Sequence, residues 1–246
     1  MPAGTFSEIV PLILNIYIGV PLPLSAFQMI IICILTDVAP SLSMMFEKSE
    51  GDLLERPPRV IGRERLVDLK LLLTAYFFLG ILETFFSNFM FFVYLGWYGN
   101  FAPSDIFLSY ENFGAGQEKS YIDNLVFVGQ TVSFATLVLV QTFGNVYVTR
   151  THKLSLFQSL PVFKRHRNLF LFIAQAIAVA IMIIIIYVPI FNSLFHTAPI
   201  PVQFYFIPLA FCIFFVVIDE LRKLLFRMGL RSPNKWYLKP FVTWAW

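Results

Sequence analysis

The sequence predicts an all-α membrane protein, built as a bundle of six transmembrane helices. Hydrophobic residues make up 58% of the 246 residues and charged residues only 13%, about half the charged fraction of a typical soluble domain. Apolar runs long enough to cross a bilayer recur along the chain. Two of these runs each contain an acidic residue followed three positions later by proline, which predicts helices that are broken inside the membrane.

The apolar runs define six predicted spans in the order of the chain. They lie at residues 5–20, 24–45, 71–96, 122–148, 168–191 and 203–221. Of the 18 Lys and Arg residues, all except Lys119 fall between spans two and three, between spans four and five, or after span six. Basic loops stay in the cytoplasm, so the loops at 20–24, 97–121 and 192–202 face outward. Basic residues divided among span ends do not indicate nucleic-acid binding.

The two broken helices predict a cation site. Glu8 precedes Pro11, and Asp37 precedes Pro40, on either side of the proline-rich hairpin at 20–24. A carboxylate at membrane depth is costly and marks a functional site by default. At about 1.5 Å per helical residue, both acids lie roughly 18–20 Å from the hairpin, so we expect them to meet at one level.

The candidate ligands are oxygen atoms around the two acids. Each proline leaves the carbonyl four residues before it without a donor, at Ser7 and Thr36. Hard cations prefer such oxygens. The predicted ligands are the Glu8 and Asp37 carboxylates, with neutral oxygens from Thr36, Thr5 and Ser7. The alternative is that the acids are neutral, or paired with a polar group elsewhere in the bundle.

Other polar residues occur inside spans three and four. Glu83 could line an ion route, but no nearby proline frees a carbonyl, which favours a protonated acid hydrogen-bonded across helices. Gln141 and Asn145 share a helix face. Packing between helices is the favoured interpretation for this pair, and a second ion position is the alternative.

Several stretches carry a resemblance to a known family. The specific ones are VPLPL at Val20–Leu24, LTDVAP at Leu35–Pro40 and DLLERPPR at Asp52–Arg59, with weaker matches such as Ser155–Gln158 and Asp219–Leu224. In this order they resemble spans five to ten of class II P-type cation-transporting ATPases, closest to the α subunit of the sodium/potassium and proton/potassium ATPases.

The resemblance implies roles for residues and partners. The positions of Glu8, Thr36 and Asp37 coordinate the transported ion in that family, here a monovalent cation (Na⁺, K⁺ or H⁺). The family couples this site to ATP and Mg²⁺ bound in cytoplasmic ATPase domains, and its outer loop, here 97–121, binds a β-type subunit. The implied location is the plasma membrane, with lipid around the spans.

The chain also departs from the family pattern. Cys33 stands where the sodium/potassium pumps place a second acid, and Thr5 stands where an asparagine is usual. Gly144 occupies a position that is acidic in sodium pumps, and Ile177 and Ala178 replace a glutamate of the fifth span. Fewer anionic oxygens predict weaker binding or a different stoichiometry.

The sequence has no Asp-Lys-Thr-Gly-Thr phosphorylation motif, no Thr-Gly-Asp-Gly hinge and no phosphate-binding loop. We therefore expect no enzyme activity and no cofactor in the isolated chain, and a P-type ATPase where it is part of a longer protein. Residues 1–246 would form the C-terminal transmembrane domain of that protein. The alternative is a truncated interaction or regulatory fragment that associates with a complete pump without moving ions.

Overall fold

The computed structural model describes residues 2–47, 69–110, 113–114, 118–150 and 168–231. Within these ranges the chain folds into helices joined by turns and contains no strand. Five helices are long and apolar enough to cross a membrane, and a shorter apolar helix, Phe6–Ile18, precedes them. The predicted all-α membrane fold is confirmed. The matches at Asp52–Arg59 and Ser155–Gln158 lie outside the described residues.

The six spans follow the predicted order. Span one is Pro2–Ile18, span two is Ala26–Phe46, span three is Leu71–Gly99, span four is Lys119–Arg150, span five is Leu169–Tyr187 and span six begins at Gln203 in the helix Gln203–Arg231. A short helix at Pro103–Ile106 lies after span three, and another at Pro189–Phe195 follows span five. Spans three and four are each several residues longer than predicted at their outer ends.

Spans two, three and four each contain one π-helical turn. The turns are Ile32–Thr36, Thr74–Gly80 and Val140–Asn145. In span two the amide of Asp37 donates to the carbonyl of Ile32, five residues back, at 3.0 Å. Such turns are rare and concentrate at functional sites. Span one, in contrast, remains one helix through Pro11, as membrane helices can accommodate an internal proline.

Span one packs closely against span three at Gly80. A Cβ atom at this glycine would lie 2.9 Å from Cδ1 and 3.2 Å from Cβ of Phe6. The absence of a side chain at Gly80 therefore brings span one, with its acid, against span three.

Substitution at Gly80 should loosen this contact. We expect Gly80→Ala to lower the free energy of unfolding by about 1–3 kcal/mol, because the added methyl group overpacks the interface. Thermal unfolding in lipid nanodiscs, followed by tryptophan fluorescence, would measure the change. Gly96→Ala is the matched control, since its nearest neighbour would be the Phe101 carbonyl at 3.8 Å. Equal stability of the two variants would contradict the packing at Gly80.

The outer end of span one is held by the loop after span three. The amide of Leu108 donates to the Ile18 carbonyl at 2.9 Å, and the amide of Tyr110 donates to the Gly19 carbonyl at 2.9 Å. Gly19 has φ +68°, and a Cβ atom there would lie 2.8 Å from the Tyr110 ring. This part of the 97–121 loop thus contacts its own chain, and it satisfies carbonyls that a helix end leaves open.

The opposite end of the bundle is joined by a polar cluster of Glu47, Arg150 and Asn168. Arg150 forms an ion pair with Glu47 at 2.8 Å, and its side chain is fully buried. The Asn168 amide donates to the same Glu47 carboxylate at 2.9 Å and to the Ser43 carbonyl at 3.1 Å. The cluster links the ends of spans two and four to the start of span five.

Candidate cation-binding site

The buried stripe of span one presents its acid to the bundle. Gly4, Ser7, Glu8 and Pro11 are buried, whereas Ile9 and its apolar neighbours further along the helix are exposed. This spacing of three and four residues is that of a single helix face. Glu8 is only 5% exposed, so the fold places its carboxylate among protein atoms and away from lipid.

The Glu8 carboxylate is only half satisfied by hydrogen bonds. The Cys33 thiol of span two donates to Oε2 of Glu8 at 2.9 Å. The other oxygen, Oε1, is buried and has no hydrogen-bond partner among the described residues. A buried carboxylate oxygen without a donor is costly, and it is an available ligand for a cation.

Asp37 reaches the same region from span two. A Cβ atom at Gly4 would lie 2.9 Å from Oδ2 of Asp37 and 2.9 Å from Nε2 of Gln141. Both side chains therefore converge on the backbone of span one, at a point where only glycine leaves room. Asp37 also interacts electrostatically with Glu8. The structure brings together the two acids that the sequence paired.

The structure describes the side chains of two predicted neutral ligands, Ser7 and Thr36. The hydroxyls of Ser7 and Thr36 are buried and donate to backbone carbonyls of their own helices, at 2.7 Å to Gly4 and 3.0 Å to Ile32. Because the protons are used there, the oxygen lone pairs remain free to accept or to bind a cation. The side chain of Thr5 lies outside the described part of the chain.

A third acid, Glu83 of span three, lies beside this pair. It is fully buried and interacts electrostatically with Asp37. The Ser7 hydroxyl and the Gln141 amide approach its carboxylate, but their geometry does not amount to hydrogen bonds. Both Glu83 oxygens and both polar side-chain atoms of Gln141 have no hydrogen-bond partner among the described residues.

The ion pairs of the described residues lie elsewhere in the bundle. Within the described ranges, the ion pairs join Arg150 to Glu47 and the basic side chains of span six to acids of the same helix, and none reaches Glu8, Asp37 or Glu83. In the same part of the chain no group of three or more His, Cys, Asp and Glu side chains has the geometry to hold a metal ion. Any cation bound here must draw on hydroxyl, amide and carbonyl oxygens as well.

Comparison with known proteins places the chain in a family. The family described as cation transporting ATPase, C-terminus, matches residues 21–225. The chain belongs to this family. Among its relatives, the potassium-transporting ATPase α chain 1 of Xenopus laevis is 30% identical over 248 residues, covering 94% of this chain and 23% of that protein. The sodium/potassium-transporting ATPase α subunit of Hydra vulgaris is 30% identical over 244 residues, with the same coverage.

Membership of the cation-transporting ATPase family confirms the resemblance found in the sequence. The human sodium/potassium-transporting ATPase subunit α-4 is 29% identical over 241 residues. The chain spans about 23% of the length of the Xenopus and Hydra relatives. It is a multi-pass integral membrane protein of the cation-transporting ATPase family.

Two features of the candidate site were not predicted from the sequence. The Cys33 thiol bonds to Glu8, and the spacing of Cys33 and Asp37 by four residues in span two is the signal that could have placed both on one face. Gly4 admits Asp37 and Gln141 together. For Glu83 the sequence favours a protonated acid hydrogen-bonded across helices, and the structure places Glu83 against Ser7 of span one and Gln141 of span four.

Proposed function

We propose that the chain is the cation-binding and translocation part of an ATP-driven pump of the sodium/potassium type, with residues 1–246 as one transmembrane domain. One observation carries the proposal. Glu8 and Asp37 converge from spans one and two, and Oε1 of Glu8 is buried without a hydrogen-bond partner among the described residues. Ionisable groups at membrane depth face the bundle interior and mark ion pathways.

The proposed ligands are Glu8, Asp37, Thr36, Thr5 and Ser7. The proposed cation is monovalent, Na⁺, K⁺ or H⁺, because the relatives are described as potassium-transporting and sodium/potassium-transporting ATPases. The π-helical turn that ends just before Asp37 supports this assignment, since irregular membrane helices supply backbone oxygens at ion sites.

The energy for transport would come from ATP and Mg²⁺ bound in cytoplasmic ATPase domains outside this chain, in the same or a separate polypeptide. The proposed location is the plasma membrane. A β-type subunit would bind at the 97–121 loop, where Trp97, Tyr98 and Leu108 are exposed. Exposed aromatic and apolar side chains of this kind favour a protein partner or the membrane interface.

Cation binding by the 246-residue chain is the first test. We expect the melting temperature of the purified chain in lipid nanodiscs to rise with NaCl or KCl and not with choline chloride, because a ligand that binds only the folded state stabilises it. Glu8→Gln should abolish most of this shift. Glu118→Gln, which neutralises an exposed acid at the outer end of span four, should keep it. A shift that is the same in Glu8→Gln and in the native chain would refute the site.

Translocation needs a second experiment. The corresponding region of the Xenopus potassium-transporting ATPase α chain 1 would be replaced by this chain, and Rb⁺ uptake into vesicles would be measured with ATP. We expect ATP-dependent uptake that Glu8→Gln removes. The alternative function, a regulatory fragment, predicts a different outcome: no uptake by the chimera, with association of the free chain with the complete Xenopus pump and a change in that pump's activity.

A further inference from the structure

Cys33 of span two contacts an acid of the candidate site but is not among the proposed ligands. Its thiol donates to Oε2 of Glu8 at 2.9 Å, and it interacts electrostatically with Asp37. Cys33 lies within the π-helical turn Ile32–Thr36, which ends just before Asp37. The turn therefore places a sulfur atom beside the carboxylates that would hold the cation.

The hydrogen bond to Glu8 does not use the lone pairs of the sulfur atom. A thiol that donates its proton to a carboxylate is still an acceptor. The Cys33 side chain is exposed on the surface of the described chain, so there is room around the sulfur. The other Glu8 oxygen, Oε1, is buried and has no hydrogen-bond partner among the described residues. Because both oxygens belong to one carboxylate, a cation that binds Oε1 lies within reach of the sulfur as well.

A sulfur ligand changes which cations a site prefers. Polarisable sulfur favours soft cations such as Cu⁺, whereas carboxylate and hydroxyl oxygens favour hard cations. The proposed ligands at Glu8, Asp37 and Thr36 all supply oxygen. Cys33 adds a soft donor to this set of hard donors. Its sulfur can act with the proton still in place, as the neutral sulfur of methionine does when it binds Cu⁺.

We propose that Cys33 determines the specificity of the cation site through its sulfur atom. The site binds a soft monovalent cation, of the class of Cu⁺ and Tl⁺, more tightly than an alkali cation of the same size. The inference rests on the proposed function, because it concerns the same site at Glu8 and Asp37. It adds softness to charge and size as a property by which the site selects its cation.

The test compares two cations that differ mainly in softness, since Tl⁺ and Rb⁺ have the same charge and similar sizes. Equilibrium dialysis with radioactive Tl⁺ and Rb⁺, added as nitrates, would measure binding to the 246-residue chain in lipid nanodiscs. We expect the native chain to bind Tl⁺ about ten-fold more tightly than Rb⁺, because one ligand is soft. In Cys33→Ser and Cys33→Ala the ratio of the two affinities should fall to about one.

Cys212→Ser is the matched control for the loss of a thiol. Cys212 of span six is buried, and its thiol donates to the Leu139 carbonyl at 3.5 Å. This variant should keep the preference for Tl⁺. Cys33→Ser retains a hydroxyl that can donate to Glu8, so it removes the sulfur while preserving a donor. Thermal unfolding of each variant shows whether it is folded.

The outcomes separate this inference from the proposed function. An unchanged ratio of Tl⁺ to Rb⁺ affinity in Cys33→Ser would overturn the sulfur ligand, because a purely structural role of Cys33 moves both affinities together. Rb⁺ binding that is lost in Glu8→Gln would then leave the proposed site standing. Tl⁺ binding that depends on Cys33, without Rb⁺ binding to the native chain, would support the sulfur ligand and refute an alkali cation as the substrate. No binding of either ion to the native chain would overturn both proposals.

Discussion

Asp37→Asn should lower the affinity of the chain for Na⁺ or Rb⁺ at the Glu8 position by roughly a thousand-fold. A unit charge about 4 Å from a cation contributes about 4 kcal/mol at the effective dielectric of a protein, and every 1.4 kcal/mol is a factor of about ten. Asp37 is partly buried and converges with Gln141 on Gly4, so little solvent is present to screen the charge. Equilibrium dialysis over a range of ion concentrations would give the affinity.

Asp123→Asn is the control for this prediction. Asp123 is an exposed acid near the outer end of span four, so its loss changes net charge equally but removes nothing from the membrane interior. We expect less than a two-fold effect, because exposed charges are screened by salt. Comparable losses in the two variants would mean that Asp37 acts through the general field of the protein and is not a ligand.

Arg150→Met should destabilise the folded chain by about 3–5 kcal/mol. The substitution leaves the Glu47 carboxylate without its charged partner at 2.8 Å, and Glu47 is itself mostly buried. Breaking one side of a buried ion pair is more damaging than removing both. The double variant Glu47→Gln, Arg150→Met should therefore recover much of the loss. Urea-dependent unfolding in mild detergent would measure all three proteins.

Arg227→Met offers the comparison for the ion pair. Arg227 lies 3.7 Å from Glu220, and both side chains are partly exposed. Exposed pairs contribute at most about 1 kcal/mol. A loss in Arg150→Met no larger than that of Arg227→Met would show that the cluster at Glu47 does not hold spans two, four and five together.

The helical architecture was predictable because hydropathy fixes where a chain enters and leaves a bilayer. Five helices long enough to cross a membrane, and a shorter apolar helix before them, occur in the predicted order, and Glu8 interacts electrostatically with Asp37. The π-helical turns were not predicted, since they depend on packing between helices. The break expected at Pro11 is absent for the same reason.

The candidate site was only partly predictable. The helical rise per residue predicts the depth of a side chain in the membrane, which was enough to pair Glu8 with Asp37. It does not predict how a helix is rotated about its axis. In span three, Thr84, Ser87 and Asn88 lie on the same helix face as Glu83, and all four side chains are buried. This polar stripe indicates the buried face of span three, but it does not indicate which neighbouring helix Glu83 meets. The rotation of span three about its own axis follows from the contact of Gly80 with Phe6. A single glycine in an apolar run does not indicate which residue will pack against it.

The backbone bonds from Leu108 and Tyr110 to the end of span one have a mechanical consequence. Span one carries Glu8 near one end and is hydrogen-bonded at Ile18 and Gly19, so its sliding or tilting is coupled to the segment that contains Leu108 and Tyr110. Any movement that displaces Glu8 across the membrane must either move the Leu108 and Tyr110 segment with it or break the two backbone hydrogen bonds. A protein bound to this segment would therefore restrain the displacement of Glu8 within the bilayer.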